Sequence, residues 1–588
     1  MVYGQSITLP LMRGTGKDPN IARYVTLLPV NMLTVPPGVV TKNGFMRSFP
    51  GVEKKADVDG PSRGALLNAL DGLVYRVCGG KLYKGSDAVA DIPNTDRVSM
   101  AGSNQSVAIA TGGKMLIRKS DGSIVNLDNW PPSKYYPGRS EILQSGNKGQ
   151  GYDGTLKLTQ EMMDEGHLRL TITAVSTTGA AGTTLEISAV QKYYDQDIPA
   201  TGTPYLTDVY VSGFLISGTT LTVSYTYNAN GASGDDNTEF VWQQIVEPTS
   251  IDYAQYDLGE IADICHANGR YAWVKAGTNQ WGVTDIEDET KPDRYRPFMT
   301  AEAFPDHAIG IAEFNGDIVV FGTVSTEFFT LTGSSSTTSA IYRAQQSLLI
   351  NVGIAGPHCK ALADGKFAVI SHPAGGRPSV YLLSNGRAVE IATPEIIDQL
   401  TATPADELAA GVVEFFRYGI HALIIVRFAD YVYCYNLGSK SWCQLAAGNG
   451  TDQPLTVDFI QEGSAVTCGD TRYPRTGVLR EDSAAQYGEP QPHILYTPLM
   501  NMPGARLFNL QLEAATGLAK QPEHIAVSAT TDGSTYPKEV TVRNDSPHCY
   551  DMIPCLNRVG LVKHNIGFRF RILSTTPLTA NSASVRAG

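Results

Sequence analysis

The stretch FAVISHPAGGRPSVYLLSNGRAVEI, residues 367–391, decides the fold class of the chain. Apolar and polar residues alternate through much of it, and the dipeptide Asn385-Gly386 separates two of the alternating runs. Alternation with a period of two is typical of β-strands, and Asn-Gly fits the positive φ angles of a tight hairpin turn. The stretch therefore predicts antiparallel strands joined by short turns.

Other stretches repeat this design, with a strand, a glycine-bearing turn and a second strand that is often rich in Tyr or Phe. They are residues 74–85, 107–127, 270–286, 317–333, 421–437 and 465–482. From Arg270 onward the units start roughly 45 to 55 residues apart, close to the length of a four-stranded propeller blade. The sequence thus predicts an all-β protein with a β-propeller-like core of six or seven blades.

Hairpin dipeptides are spread along the chain, as expected for tight turns between antiparallel strands. They begin at Asn43, Asp59, Asp71, Asp121, Asp153, Asn230, Asn268, Asn315, Asp364, Asn385, Asn449 and Asp532. Helical periodicity is confined to one stretch, from about Pro394 to Phe415. Thr393 is placed to cap this helix, and Thr403 with Asp406 has the spacing of a capping box.

The composition of the 588 residues limits the classes of function. The chain is 42% hydrophobic and has 28 Tyr and 18 Phe, which excludes a disordered protein. A net charge of -12 excludes a protein that neutralises DNA phosphates over its whole surface. The sequence shows no signal peptide and no apolar stretch of about 20 residues, so we expect a cytosolic product. The scattered cysteines are then expected to be buried thiols: Cys78, Cys265, Cys359, Cys434, Cys443, Cys468, Cys549 and Cys555.

These patterns divide the chain into five segments. We expect an extended N-terminal arm at 1–50, the first part of the propeller-like core at 51–140, an inserted acidic β domain at 141–249, the remainder of the core at 250–488 and a C-terminal β domain at 489–588. The inserted and C-terminal domains are both expected to be sandwich-like.

The insertion at 141–249 carries most of the negative charge, with 13 acidic residues against 4 Lys and Arg, a net of -9. Alternating faces predict its strands and the last strands of the chain. The apolar faces are Leu168, Leu170, Ile172 and Ala174; Leu221, Val223, Tyr225 and Tyr227; and Ile566, Phe568, Phe570 and Ile572, the last alternating with Arg569 and Arg571.

The sequence has no phosphate-binding loop, dinucleotide fingerprint, HExxH or GxSxG motif. Its densest acidic run is TDIEDETKPDRY, residues 284–295, with Asp285, Glu287, Asp288, Glu289 and Asp293. Paired carboxylates suit a glycosidase, and convergent oxygens suit a cation. The spacing of a calcium loop is missing and Lys291 and Arg294 supply local partners, so a solvated loop is the preferred interpretation.

Other reactive side chains lack a useful arrangement. His548, Cys549 and Cys555 do not have the spacing of a structural zinc site. Adjacent residues on a strand point to opposite faces, which argues against a nucleophile and base in the pairs Ser371-His372, Asp306-His307 and Cys265-His266. Aromatic rings near unit ends are expected to wedge between blades more than to bind sugars: Trp130, Trp273, Trp281 and Trp442. We therefore predict no catalytic, cofactor-binding or metal-binding residues, and no cofactor.

Longer strings carry a resemblance to a known family. They include YVTLLPVNML at 24–33, SRGALLNALDGLVYRVCGGKLYKG at 62–85, GRYAWVKAGTNQWGVTDIEDETKPDRY at 269–295, VGIAGPHCK at 352–360 and NRVGLVKHNIGFRFRIL at 557–573. They resemble the tail hub proteins of short-tailed bacteriophages, or podoviruses, also described as packaged-DNA stabilisation or head-completion proteins. The resemblance spans both ends of the chain and leaves out about 141–249, where the sequence departs from the family pattern.

The resemblance implies a structural virion protein that is not an enzyme. It implies a homo-oligomeric ring, a hexamer by family likeness, that closes the portal channel after packaging, stabilises the packaged double-stranded DNA and takes part in genome ejection. Implied partners are the portal adaptor or head-to-tail connector, the tailspike or tail fibre, and the tail needle, with only indirect contact to DNA and no membrane insertion. Its implied place is the virion tail, after assembly in the bacterial host cytoplasm.

Other interpretations stay open. A carbohydrate-binding or carbohydrate-active β-propeller that recognises a bacterial surface glycan has the same fold pattern. The insertion at 141–249 is alternatively a binding domain for an extra fibre or the cell surface. Arg13–Lys17 either meets an acidic partner ring or is a solvated loop.

Overall fold

A computed structural model describes the chain from Gln5 to Gly588 with gaps. Outside the description are residues 1–4, 12–13, 19–22, 38–43, 69–70, 129–132, 137–138, 147–150, 158–168, 177–183, 189–208, 218–219, 228–239, 247–248, 253–257, 287, 294–297, 333–339, 373–375, 449 and 451, and only backbone is described within 12–25 and 129–257. The chain forms two compact units, of which the second includes Asn129–Asp257.

Seven four-stranded antiparallel sheets form the propeller blades of the first unit. Blade one is β7 (Ser62–Leu67), β8 (Val74–Cys78), β9 (Lys81–Lys84) and β10 (Asp87–Asp91); blade two is β11 (Ser99–Gly102), β12 (Ser106–Thr111), β13 (Lys114–Lys119) and β14 (Ile124–Asn126); blade three is β24 (Ile261–Ala267), β25 (Arg270–Lys275), β26 (Gln280–Val283) and β27 (Met299–Thr300). Blade four is β28 (Ala308–Phe314), β29 (Asp317–Gly322), β30 (Thr326–Leu331) and β31 (Tyr342–Ala344); blade five is β32 (Lys360–Ala363), β33 (Lys366–Ser371), β34 (Ser379–Ser384) and β35 (Arg387–Glu390). Blade six is β36 (Val412–Tyr418), β37 (His421–Phe428), β38 (Tyr431–Asn436) and β39 (Ser441–Leu445); blade seven is β40 (Thr456–Glu462), β41 (Ala465–Asp470), β42 (Arg475–Arg480) and β6 (Gly51–Asp57).

The first strands of the blades are neighbours around an axis. Those of blades one to four lie side by side in turn, as do those of blades five to seven, and the first strand of blade seven lies beside that of blade one. Blades four and five meet through Phe321 and Phe367, whose ring centroids are 5.1 Å apart. The predicted propeller is therefore confirmed, and it has seven blades.

The apolar core of the propeller lies between the blades. One buried cluster joins blades four, five and six, and further clusters join blades one and two, two and three, three and four, and six and seven. Trp281 of blade three, for example, packs edge-on against Phe329 of blade four at 5.1 Å between ring centroids. Each small sheet is thus buried on both faces by its neighbours, which accounts for its almost continuous apolar strands.

The turns follow the dipeptides that predict them. Both residues of the pair have positive φ at 268–269, 315–316, 364–365 and 385–386. For Asn385 and Gly386 the φ angles are 49° and 72°, as a primed two-residue turn requires.

The predicted helix from Pro394 to Phe415 is wrong in length. The structure has α1 (Pro394–Ala402), α2 (Ala405–Ala409) and a 3-10 turn at Gln346–Leu348. Thr403 ends α1 in an extended conformation because Pro404 follows it, and its hydroxyl donates to the Gln399 carbonyl at 3.0 Å instead of capping a helix. Thr393 makes no side-chain cap hydrogen bond either. Phe415 lies in β36, the first strand of blade six.

A β-sandwich follows the propeller and includes strands from both ends of the chain. One sheet contains β4 (Met32–Val35), β5 (Phe45–Ser48), β50 (Thr579–Ala587), β45 (Arg506–Ala514), β48 (Cys555–Leu561) and β1 (Gln5–Leu9). The other contains β43 (Gln491–Tyr496), β44 (Met500–Asn501), β49 (Asn565–Ser574), β46 (Glu523–Thr530) and β47 (Glu539–Asp545). A separate hairpin pairs β2 (Gly14–Asp18) with β3 (Arg23–Leu27). The C-terminal alternation is confirmed: Ile566, Phe568, Phe570 and Ile572 are buried, whereas Arg569 and Arg571 pair with Glu539.

The second unit is also built from antiparallel strands. Its sheets are β15 (Ser133–Tyr136) with β23 (Thr249–Asp252); β16 (Arg139–Gly146), β22 (Phe240–Val246), β18 (Arg169–Ser176) and β19 (Thr184–Ser188); and β17 (Gly151–Lys157), β21 (Thr220–Tyr227) and β20 (Val209–Ser217). The side-chain faces predicted for the insertion lie outside the described residues.

All eight cysteines are free thiols; six are buried as expected, whereas Cys549 and Cys555 are half-buried. Across the described ranges, no helix is long and apolar enough to cross a membrane.

Candidate assembly site

The seventh blade is completed by β6, a strand that precedes the whole propeller in sequence. β6 runs antiparallel to β42 from Gly51 onward. Beyond this pairing, the Val52 amide donates to the Ala485 carbonyl at 2.7 Å and the Tyr487 amide donates to the Val52 carbonyl at 2.8 Å. Because the first and last strands of the propeller share one sheet, the ring of blades opens only when these bonds break together.

The last strand of the chain, β50, is likewise paired with strands from the N-terminal segment. β50 lies inside its sheet, since β45, β5 and β1 all pair with it. Leu9 of β1, Met46 of β5 and Val585 of β50 are all buried in the sandwich core. The N-terminal segment therefore packs on its own chain, and β50 offers no free edge for exchange with another chain.

Asn31 joins the propeller to the sandwich. Its side-chain amide donates to the carbonyls of Ala446, after blade six, at 2.6 Å and of Pro492, in the sandwich, at 2.8 Å. Its side-chain oxygen accepts from the Ala446 amide at 3.0 Å. Asn31 has φ 52°, a conformation that Asn tolerates better than most residues and that turns its short side chain toward both partners.

An ionic group, which we call the axial cluster, lies where blades six, seven, one and two converge, with Arg76, Arg427 and Asp458 buried and Arg97 and Glu414 half-buried. It consists of Arg76, Arg97, Glu414, Arg427 and Asp458. Each member lies on or beside one of the first two strands of a blade. A buried charge is tolerated only when it is paired and hydrogen-bonded, so the bonds of this cluster determine what it does.

Asp458 is the centre of the axial cluster. It lies in a bulge of β40 with φ 57°, which aims its carboxylate across the neighbouring blades. The carboxylate accepts from the Arg97 guanidinium and from the Ser62 hydroxyl, the latter at 2.6 Å. The Asp458 carbonyl accepts from Arg76 at 2.9 Å. One residue of blade seven thereby holds blade one and the segment that enters blade two.

Glu414 and Arg427 connect blade six to the same cluster. Glu414 accepts from the Phe459 amide at 3.1 Å, and Arg427 donates to the Thr456 carbonyl at 2.5 Å. Burial, with the adjacent Asp458 carboxylate, raises the pKa of Glu414. For Asp458, burial alone would raise the pKa, but Arg97 and Arg76 outweigh it and hold the pKa below its ordinary value.

A second buried ion pair ties the remaining blades. The Lys360 ammonium of blade five donates to the Asp263 carboxylate of blade three at 2.5 Å, and the Ile311 amide of blade four donates to the same oxygen at 2.8 Å. A Cβ on Gly310 would lie 2.8 Å from Ile354 and 3.3 Å from this carboxylate, so glycine leaves room for the contact. The axial cluster thus joins blades six, seven, one and two, and the Asp263 group joins blades three, four and five.

The acidic run at 284–295 is part of the scaffold. Asp293 pairs with Arg270 at 2.7 Å, and both side chains are buried. Glu289 accepts from the hydroxyls of Ser103, at 2.7 Å, and Ser106, which joins blades two and three. The solvated-loop interpretation is therefore wrong for these two carboxylates, while Glu287 and Arg294 lie outside the described residues.

The remaining carboxylates of the run are locally engaged. Asp288 accepts from the Thr290 hydroxyl at 2.5 Å and pairs with Lys291 at 3.3 Å, and these bonds outweigh burial and lower its pKa. Asp285 is buried, and its amide donates to the Lys291 carbonyl at 2.9 Å. Within the described parts of the chain, no group of three or more His, Cys, Asp or Glu side chains is placed to hold a metal ion.

The other candidate residues from the sequence are also buried or hydrogen-bonded within the scaffold, apart from His372. Asp306 accepts from the amides of Val324 and Ser325 at 2.9 and 3.2 Å. Burial raises the pKa of the Cys265 thiol and lowers that of His266. The hydroxyl of Ser371 is buried, whereas His372 is exposed.

The Cys-His string and the tryptophans complete this list of candidates. Cys555 donates to the Asn557 side chain at 3.5 Å, and the Cys549 amide donates to Ser546 at 3.2 Å. Trp273 packs edge-on against Phe298, and Trp442 donates to the Ile391 carbonyl of blade five at 2.6 Å. Trp130 and the side chains of Arg13–Lys17 lie outside the described residues.

N-terminal strands close both domains, and buried cross-links join the blades. These features define a class of protein, a closed seven-bladed propeller fused to a β-sandwich, with the architecture of a scaffold. The family described as "Bacteriophage P22 Gp10, beta-propeller" matches residues 7–173 and 198–484, and "Bacteriophage P22 Gp10, beta-sandwich" matches residues 492–588. The chain is 34% identical over 582 residues to the "Tail hub protein gp10" of Salmonella phage P22, covering 98% of each chain. The chain belongs to the P22 gp10 family, and it is a phage tail structural protein.

The family match corrects one expectation. The resemblance was expected to stop at 141–249, but the matched residues omit only 174–197 within that segment. The insertion is therefore largely part of the family pattern.

Solved structures give weaker likenesses. The extracellular domain of BT4673 from B. thetaiotaomicron has 9% identity and a TM-score of 0.24, covering 96% of this chain and 99% of that one. An exo-β-1,3-galactanase from Phanerochaete chrysosporium has 8% identity and a TM-score of 0.20, covering 55% of this chain and 94% of that one. Such TM-scores carry no conclusion about fold or activity.

Proposed function

We propose that this chain is the tail hub of a short-tailed phage, which closes the portal channel after packaging and stabilises the packaged DNA. In this proposal a ring of copies, six by family likeness, lies below the portal adaptor and docks the tailspikes and the tail needle. The proposal rests on the chain-long identity to a protein named as a tail hub. Assembly takes place in the host cytoplasm, and the chain acts without catalysis.

The double closure of the fold by N-terminal strands supports the proposal. β6 completes the seventh blade, and β1 and β5 pair with the last strand, β50. N-terminal strands therefore close both the ring of blades and the sheet that contains β50. A hub under the pressure of packed DNA needs subunits that do not open from their ends. Several hydrogen bonds that must break together resist such opening far better than the same bonds broken one by one.

The buried cross-links support the same role. The axial cluster and the Asp263–Lys360 pair restrain the blades relative to one another. The carboxylates Asp293 and Glu289, which a glycosidase mechanism would need to be free, are committed to Arg270 and to Ser103 and Ser106. We therefore favour a docking scaffold over a carbohydrate-active enzyme.

Electron cryo-microscopy of purified virions tests the proposal. An epitope tag inserted at the exposed turn beside Lys563, labelled with an antibody fragment, should mark a ring of copies between the portal and the tail tip. Label on the capsid shell, or a chain released as a monomer that liberates sugar from host polysaccharide, would contradict it.

A further inference from the structure

A groove of about 910 Å³ runs between the outer strands of blades five and six, and Thr26 and Leu28 of the N-terminal segment complete its lining. Its floor is apolar and includes Leu382, Tyr435 and Trp442, each less than 9% exposed. Val389 lies at its rim and is 58% exposed, although it is a large apolar side chain. The tail hub proposal does not assign any role to this groove.

Three cations surround the groove in a protein whose net charge is -12. They are Lys366, Arg387 and Lys440, and all three are exposed. None of them forms an ion pair with another residue that the structure describes. The one carboxylate in the lining, that of Glu390, accepts from the Ser379 hydroxyl at 2.5 Å. The rim therefore has positive charge that no ion pair among the described residues neutralises.

One wall of the groove is the free edge of a sheet. β35 is the outermost strand of blade five, with no strand on its other side in the described chain. The two-residue turn at 385–386 makes Ser384 and Arg387 the closing hydrogen-bonded pair of the hairpin. Because such pairs alternate along an antiparallel ladder, the amide and carbonyl groups of Ala388 and Glu390 point outward. An unpaired strand edge is a template for another extended segment.

We propose that this groove binds an extended, acidic segment of a protein partner, which adds to β35 as a fifth strand. Leu382, Val389 and Arg387 share one face of blade five. Alternate side chains of an added strand also face the same way. Apolar and acidic residues on that one face of the segment would therefore pack on the floor and meet the three cations. The four residues of β35 span about 13 Å, enough for a segment of roughly four to six residues. The assignment of the partner to the tail rests on the proposed function, whereas the binding chemistry does not.

A nucleic acid fits the groove less well. Single strands bind to aromatic rings that are free to stack on bases. Here Trp442 donates to the Ile391 carbonyl, and its ring packs against that of Tyr435 at 4.9 Å between centroids. The floor is thus filled by rings packed on each other, and the free strand edge has no counterpart in DNA.

Fluorescence anisotropy with the purified full-length chain tests the proposal. The probe is a labelled eight-residue peptide, Val-Ser-Glu-Ser-Val-Ser-Glu-Ser, which presents Val and Glu on one face of a strand. We expect saturable binding that R387E/K440E weakens at least tenfold, while K114E/K563E, which makes the same change in net charge at exposed sites outside the groove, leaves it unchanged. Circular dichroism confirms that each variant is folded.

Two more probes separate the strand edge from simple charge attraction. The same peptide with N-methyl groups on alternate residues keeps its charge but cannot complete a ladder, and we expect it to bind at least tenfold more weakly. No binding of the parent peptide, equal binding of the methylated peptide, or tighter binding of a labelled 12-base-pair DNA duplex would each overturn the proposal. These measurements use no virions. A negative result would therefore not contradict the tail hub proposal, which electron cryo-microscopy of virions tests separately.

Discussion

Ser48 and Leu578, 530 positions apart in the chain, hold each other by two hydrogen bonds. The Ser48 amide donates to the Leu578 carbonyl at 2.8 Å, and the Leu578 amide donates to the Ser48 hydroxyl at 3.1 Å. Both residues are buried, at 5% exposure each. This pair fixes the start of β50 to the N-terminal segment, and it is the smallest part of the double closure that a single substitution can test.

Ser48→Ala should destabilise the chain by about 1 to 3 kcal/mol, because the buried Leu578 amide loses its acceptor. Denaturant unfolding measures the change. Ser86→Ala, at an exposed serine that bonds only its neighbour Asp87, is the matched control and should change stability by less than about 0.5 kcal/mol. Equal effects of the two substitutions would contradict the role of the Ser48 hydroxyl.

Asn31→Gly should lower the free energy of unfolding by about 2 to 5 kcal/mol, since two buried carbonyls and one buried amide lose their side-chain partner. Asn31→Ala should be worse by roughly 1 kcal/mol, because alanine also disfavours φ 52°. Calorimetry on both variants separates the side-chain bonds from the backbone strain. Two variants as stable as the parent chain would show that Asn31 does not join the domains.

Asp458→Asn should destabilise the propeller by about 3 kcal/mol, because the buried Arg76 loses the adjacent negative charge and Arg97 loses its ion pair. Asp364→Asn removes a carboxylate from an exposed pair with Arg417 and should cost less than about 1 kcal/mol. Thermal unfolding of the two variants gives the comparison. If the exposed pair proved as important as the buried one, the axial cluster would have no special structural role.

The pH dependence of stability should differ between the parent chain and Glu414→Gln. Glu414 has a raised pKa in the folded chain, so its contribution to stability is fully present below its ordinary value of 4.5 and declines as pH rises through the folded-state pKa. Gln does not titrate, and its side-chain oxygen still accepts from the Phe459 amide. The stability of the parent relative to the variant should therefore fall with rising pH, as measured by urea unfolding between pH 5 and roughly pH 8. A constant difference would contradict the raised pKa.

The sequence predicts the blades because each blade is a series of hairpins between consecutive strands, with turn dipeptides between them. Asn385-Gly386 predicts its own turn, and Phe568 with Arg569 shows the two faces of its strand. The break after α1 is missed because the capping spacing of Thr403 and Asp406 indicates a continuing helix, whereas Pro404 ends it.

The closures and the axial cluster could not be predicted in this way. The pairing of β6 with β42 and the contact of Ser48 with Leu578 join residues hundreds of positions apart, and no local pattern encodes a partner at that distance. Glu414 and Asp458 each leave one signal, a carboxylate flanked on both sides by apolar residues, in VVEFF and VDFI. Such a residue indicates a buried partner but does not identify it.

Genome retention in particles made without this chain tests the tail hub account most directly. A phage with a stop codon in the gene for this chain should form heads that package DNA and then lose it. The measured quantity is the fraction of the genome per particle that nuclease degrades. Purified chain added before the loss should restore protection. Heads that keep their DNA nuclease-resistant in the absence of the chain would contradict the account.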